Sequence, residues 1–105
     1  MKAGVLFSKG DIRYAYWPDP EVKAGQVRIK VMACGICGSD VPRVHGDEAH
    51  FFPIVLGHEF SGVIDEIGEG VEDLAVGDRV TVAPLVPCMK CEQCLTGAYS
   101  QCRHY

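Results

Sequence analysis

The sequence predicts a mainly β domain, a closed or partly closed β-barrel that carries a metal-binding cysteine lobe. Three observations predict it. Short runs of alternating or β-branched residues recur along the 105 residues. Turn signals built on glycine, proline and aspartate separate them about every ten residues, the rhythm of an all-β fold. Four of the six cysteines gather at Cys88, Cys91, Cys94 and Cys102, after the last expected strand.

Residues 1–7 form the first strand. Ser8-Lys9-Gly10-Asp11 is a turn, and residues 12–17 return as the second arm of a hairpin. Pro18 and Pro20 end that arm, because proline cannot donate to a ladder. Gly25 marks the next turn. Residues 27–33 alternate: Val27, Ile29, Val31 and Ala33 share one face, Arg28 and Lys30 the other. This strand delivers the backbone to Cys34. Ser39 or Asp40 caps a short helix over residues 41–44, with Pro42 tolerated in its first turn. Residues 45–50 are polar and read as a loop. The apolar run Phe51-Phe52-Pro53-Ile54-Val55-Leu56 leads into Gly57-His58. Residues 60–67 are a strand that ends at Gly68-Glu69-Gly70. Residues 71–74 lead to the turn Gly77-Asp78, and residues 79–83 are the last strand. No internal repeat or low-complexity segment interrupts this order.

Composition bounds the function. Hydrophobic residues make up 48% of the chain, so a core is feasible. The formal net charge of −4, without a Lys/Arg run, argues against an electrostatic nucleic-acid footprint. No apolar run approaches the roughly 20 residues of a membrane span. The N-terminal residues lack the apolar stretch of a signal peptide, so a cytoplasmic location is expected. In that setting the grouping of the cysteines points to metal or redox chemistry and not to structural disulfides. No G-x-G-x-x-G run marks a dinucleotide site.

Two constellations carry chemistry. Cys88-x2-Cys91-x2-Cys94-x7-Cys102 offers four thiolates on short spacers, enough to wrap one tetrahedral Zn²⁺ in a closed, structural site. An iron–sulfur cluster also uses four cysteines, but the ferredoxin run continues with x3-C-P, and this one continues with x7-C-Arg103. The second constellation runs from Cys34-Gly35-Ile36-Cys37-Gly38-Ser39-Asp40 to Leu56-Gly57-His58-Glu59-Phe60-Ser61-Gly62. Cys37 and His58 suit the first ligands of a catalytic Zn²⁺ that keeps a position open for substrate. Asp40 and Glu59, each close to a ligand candidate, suit the outer positions that orient a ligating histidine. A redox pair at Cys34 and Cys37 is the competing reading, and it lacks the βαβ context of such pairs.

The combination resembles a known family. Cys-Gly-x-Cys-Gly-Ser-Asp, Gly-His-Glu-x-x-Gly-x-Val, Val-Gly-Asp-Arg-Val and the four-cysteine lobe occur in the order found in the N-terminal, GroES-like catalytic domain of zinc-dependent medium-chain alcohol and polyol dehydrogenases. More narrowly, Cys37 to Arg43, Ala49-His50-x-x-Pro53, Pro84-Leu85-x-Pro87-Cys88 and Tyr99-Ser100-Gln101-Cys102 resemble the galactitol-1-phosphate 5-dehydrogenases.

The resemblance implies roles. Cys37 and His58 would be catalytic zinc ligands, and Glu59 would lie close enough to approach the metal. Ser39 would accept the substrate's hydroxyl proton, and Asp40 would hold His58 in its tautomer. Cys88, Cys91, Cys94 and Cys102 would hold a structural zinc. Cys34 has no ligand role and is expected to be a buried thiol. Pro42 stands where many relatives carry a relay histidine, so the relay would end at Ser39 and water or use another group. Arg43, His45 and His50 lie nearby and read as a solvated segment.

Residues 1–105 are then expected to be the N-terminal part of the catalytic domain, with the zinc lobe at 84–105. The third catalytic ligand and the domain binding NAD or NADP would follow Tyr105. The expected activity is oxidation of a secondary alcohol of a polyol or polyol phosphate, of the galactitol 1-phosphate type, with these residues alone inactive. No nucleic-acid or membrane partner is expected, and uncovered apolar barrel surface favours a homo-oligomer. The alternative is a standalone zinc-stabilised β-barrel acting as a binding or redox module.

Overall fold

The first hairpin forms where the alternation and its glycine turn place it. In the computed structural model, which describes all 105 residues, β1 (Lys2–Ser8) pairs antiparallel with β2 (Asp11–Tyr16), from Lys2 opposite Tyr16 to Leu6 opposite Ile12. The register shifts by the turn, where Gly10 takes a φ of 74° that a side chain would resist. On its other edge β1 accepts β4 (Ile54–Val55), with Val5 opposite Val55 and Leu6 opposite Ile54. Of the apolar run at 51–56, only these two residues join a sheet.

The second sheet is built on β5 (Glu59–Ile67), which lies between β3 (Val27–Gly35) and β6 (Arg79–Thr81). Both of its pairings are antiparallel. Register shifts between Arg28 and Ile29, and between Val31 and Ala33, break the alternation expected of β3. From Lys30 to Gly35 every residue of the strand is exposed, Met32 as well as Val31 and Ala33, so neither face of this end packs on a core.

The expected barrel does not close. The two sheets, ordered β2-β1-β4 and β3-β5-β6, share no ladder. The physical reason lies in the short elements. β4 stops after two residues before Gly57, and β6 stops after three, ahead of Pro84. Neither is long enough to bridge to the other sheet. The mainly β fold class holds. The fully buried side chains are Val5, Leu6 and Ile64. The radius of gyration is 15.7 Å, against about 13 Å for a compact domain of ~100 residues.

α1 (Asp40–His45) follows β3 after a short loop and is longer than the residues 41–44 expected. Neither predicted cap operates. Ser39 has helical backbone angles and makes no capping bond, and Asp40 lies inside the helix. Its carboxylate is used elsewhere, as described below. α1 is tied to the first hairpin by the Gly10 N–H donating to the Val44 carbonyl at 2.6 Å and by a Lys9–Asp47 ion pair at 3.0 Å. The cysteine lobe contains α2 (Glu92–Leu95) and one 3₁₀ turn at Tyr99–Gln101. No helix is long and apolar enough to cross a membrane.

One register decides the site. Gly35, the last residue of β3, lies opposite Glu59, the first residue of β5. Cys37 follows the one and His58 precedes the other, so antiparallel pairing brings residues 21 positions apart side by side.

Candidate metal centres

In the lobe the four sulfurs converge. The Sγ atoms of Cys88, Cys91, Cys94 and Cys102 all lie within 4.8 Å of one another, with 3.9 Å between Cys88 and Cys94 and 3.5 Å between Cys91 and Cys94. Zn–S bonds of ~2.3 Å set tetrahedral sulfurs about 3.8 Å apart, so the donor set fits one zinc ion. Sulfurs this close leave room for a single ion and not for a multi-iron cluster. No disulfide joins them.

Backbone amides aim at these sulfurs. Cys88 N–H donates to Cys102 Sγ at 3.3 Å, Cys91 N–H to Cys88 Sγ at 3.3 Å, and His104 N–H to Cys102 Sγ at 3.4 Å. Met89, at φ 60°, turns the chain between Cys88 and Cys91. Such bonds favour the thiolate, the form that ligates. The Cys91 thiol is pulled down to about 6, chiefly by the Arg103 backbone N–H and then by that of Cys94. The Cys88 N–H lowers Cys102 in the same way. Cys94 is buried, and desolvation pushes it up to about 12. A dicationic ion would reverse that penalty.

The second group forms at the β3–β5 end. Ligand atoms of Cys37, His58 and Glu59 lie within 4.8 Å of one another. A thiol, an imidazole and a carboxylate are a donor set that zinc accepts with a position left open. Glu59 lies over Gly35, which has no side chain; a Cβ there would stand 3.0 Å from Glu59 Oε2. His58 is aimed by Gly57, whose φ of 114° suits glycine.

Asp40 organises this end. It is 7% exposed, and its Oδ2 accepts a hydrogen bond from the Cys37 N–H at 3.0 Å. Its Oδ1 is buried without a hydrogen-bond partner, 3.6 Å from His58 Nδ1 and 3.6 Å from Arg43 Nη1. That oxygen faces two positive or polarisable groups, so its charge is offset by proximity and not by a close bond. Arg43 Nη1 donates to Ser39 Oγ at 3.1 Å.

The structure thus brings together Cys37, His58 and Glu59, with Asp40 against Cys37 and His58 and Ser39 tied in through Arg43, all read from sequence as site residues. It corrects three other readings. Cys34 is exposed, not buried; its Sγ lies against Gly57, 2.8 Å from where a Cβ would stand, on the wall of a separate cleft between the sheets. Arg43 belongs to α1 and is drawn in by Ser39 and Asp40, so it is not part of a solvated loop. His50, although exposed, lines the cleft beside His58 with Arg43. His45 is exposed and does not line it. The signal for Arg43 was its i,i+4 spacing from Ser39, which sets both on one face of the helix.

The sequence pattern of the alcohol dehydrogenase GroES-like domain matches residues 23–105. The whole chain is 50% identical to galactitol 1-phosphate 5-dehydrogenase of Escherichia coli K12 and spans 31% of that protein. The crystal structure of galactitol-1-phosphate dehydrogenase from Escherichia coli superposes with a TM-score of 0.90, covering 100% of this chain and 31% of that one. Sorbitol dehydrogenase of Bacillus subtilis is 42% identical over 97% of the chain and 30% of its own length. The zinc dependent alcohol dehydrogenase 2 of Streptococcus pneumonia gives a TM-score of 0.84 at 30% identity, over 99% of this chain and 30% of its own. The chain therefore spans about a third of the length of the relatives it matches.

Proposed function

The chain belongs to the alcohol dehydrogenase GroES-like family, and on that premise we propose that it is the N-terminal part of the catalytic domain of a zinc-dependent NAD(P) dehydrogenase. The substrate is a secondary alcohol of a polyol phosphate, of the galactitol 1-phosphate type. The observation that carries the reading is the convergence of Cys37, His58 and Glu59 beside Ser39 and the buried Asp40 carboxylate. That group adjoins a cleft of about 410 Å³, within the ~300–1,000 Å³ usual for small-molecule sites.

In this reading Cys37, His58 and Glu59 hold the catalytic zinc with a further ligand from outside these residues. Cys88, Cys91, Cys94 and Cys102 hold the structural zinc. Zinc, when bound, supplies a Lewis acid that makes the substrate hydroxyl more acidic. NAD or NADP, held by a separate domain, supplies the hydride acceptor.

The chain's own residues do the rest. Asp40 accepts from the Cys37 N–H and so fixes the loop that presents the thiolate. It faces His58 Nδ1, which favours the proton on that nitrogen and leaves Nε2 as the ligand atom. Ser39 takes the substrate's hydroxyl proton. Arg43 donates to Ser39 Oγ, so the hydroxyl is held in one orientation. Pro42 carries no titratable group, and the proton passes from Ser39 to water. The enzyme acts in the cytoplasm as a homo-oligomer. Identity of 50% across the whole chain to a dehydrogenase weighs against a standalone module.

The test uses the full-length enzyme that contains this chain. Cys37→Ser should abolish turnover while nicotinamide binding survives. Ser39→Ala should lower kcat on the order of 10²-fold, the scale of a lost proton-transfer group. The phosphorylated polyol should give the higher kcat/KM. Equal or better use of the unphosphorylated polyol would reject phosphate specificity, and full activity of metal-free Cys37→Ser enzyme would reject the zinc mechanism.

A further inference from the structure

The cleft beside His58 offers two groups that the proposed reaction leaves free, one edge of the Arg43 guanidinium and the His50 ring. Asp40, Arg43, His50, Ile54, His58 and Pro84 line the cleft. Arg43 is half-buried there, yet both of its polar contacts, to Ser39 and to Asp40, run through Nη1. Its Nε and Nη2 have no partner in the protein. Those two nitrogens form the edge of a guanidinium that takes two oxygens of one anion. His50 is exposed and engages no ion pair or hydrogen bond. It lines the same cleft as a further donor. Asp40 does not spoil the site, because its free oxygen is buried beneath Arg43 and His58.

We propose that Arg43, with His50, forms the subsite that binds the phosphate monoester end of the substrate. This rests on the reading of the chain as a dehydrogenase, and it assigns the substrate's charged end to residues of this segment. The pairing has a clear logic. Arg43 touches the proton acceptor through one nitrogen and offers its free edge to the anion. A bound phosphate therefore sets the distance between itself and the carbon whose hydroxyl faces Ser39. Binding energy from the phosphate would be spent on that placement.

The experiment compares kcat/KM for a polyol phosphate and for the same polyol without phosphate, in the full-length enzyme and its variants. Arg43→Gln should lower the phosphate-over-polyol ratio about 10- to 100-fold, the range of a hydrogen bond to a charged group. Arg43→Lys should lower it less, and His50→Gln a few-fold, mainly through KM. Inorganic phosphate should compete with the phosphorylated substrate in the wild type and more weakly in Arg43→Gln and His50→Gln. If Arg43→Gln reduces both substrates equally through kcat, Arg43 only positions Ser39 and the proposal is overturned, while the dehydrogenase reading stands. A wild type indifferent to the phosphate overturns both the phosphate specificity and the subsite. If Arg43→Gln does not fold, unchanged competition by inorganic phosphate in both Arg43→Lys and His50→Gln is enough to reject the subsite.

Discussion

At the scale of single residues, the lobe is the part whose chemistry spacing dictates most directly. Two-residue spacers hold Cys88, Cys91 and Cys94 within reach of one point, and the turn at Met89 folds the Cys91 N–H back on the Cys88 sulfur. Purified protein should contain zinc in this lobe, with Zn–S distances near ~2.3 Å in X-ray absorption. Iron in the metal analysis, or disulfides within the lobe under reducing conditions, would sink the assignment. The roles of Glu59 and Arg43 were harder to read. Glu59 lies over Gly35, where a Cβ would crowd its carboxylate, a cross-strand fact that no linear spacing contains. Asp40 was read as a residue that orients its neighbours, yet its burial and its bond to the Cys37 N–H come from the turn that the helix start imposes.

At the scale of elements, the long strands were legible and the devices at their ends were not. β3 and β5 carry the β-branched runs that predict them. The register shifts in β3 leave no mark in the alternation, and neither face of its second half is covered. The β3–β5 ladder is also where the fold is most sensitive. Gly62 is buried opposite Val31, and a Cβ at Gly62 would collide with the Lys30 carbonyl oxygen and come 2.7 Å from Ile29 Cγ2. Gly62→Ala should therefore destabilise the domain by about 3 kcal/mol, the upper range of overpacking. Chemical denaturation checks it, and an unchanged midpoint would mean that the strands separate at no cost. Because the same ladder brings Cys37 to His58, the variant should also weaken metal binding at that site.

At the scale of the whole molecule, much apolar surface is uncovered. Met32 is 68% exposed and Ile36 85%, on and just beyond β3, and three side chains alone are fully buried. Surfaces of this kind drive association. The chain at micromolar concentration should sediment as a concentration-dependent oligomer, and Met32→Lys should shift it toward the monomer. A sedimentation coefficient independent of concentration would refute this. The same openness separates the observed pair of three-stranded sheets from the expected barrel. Closure depends on edges meeting in space, and β4 and β6 are too short to join theirs.

The sequence by itself determined the mainly β class and the grouping of the four lobe cysteines, and it named Cys37, His58 and Glu59 as candidates for a second site. These follow from local rules: strand alternation, glycine turns and the short reach between clustered cysteines. Only the tertiary structure decided that the sheets stay apart, that Cys34 is exposed and that Cys37 meets His58 and Glu59 across the β3–β5 ladder. Each of those depends on which backbone lies opposite which. A register shift of one residue reverses the face of every side chain beyond it, and no spacing along the chain reports that shift.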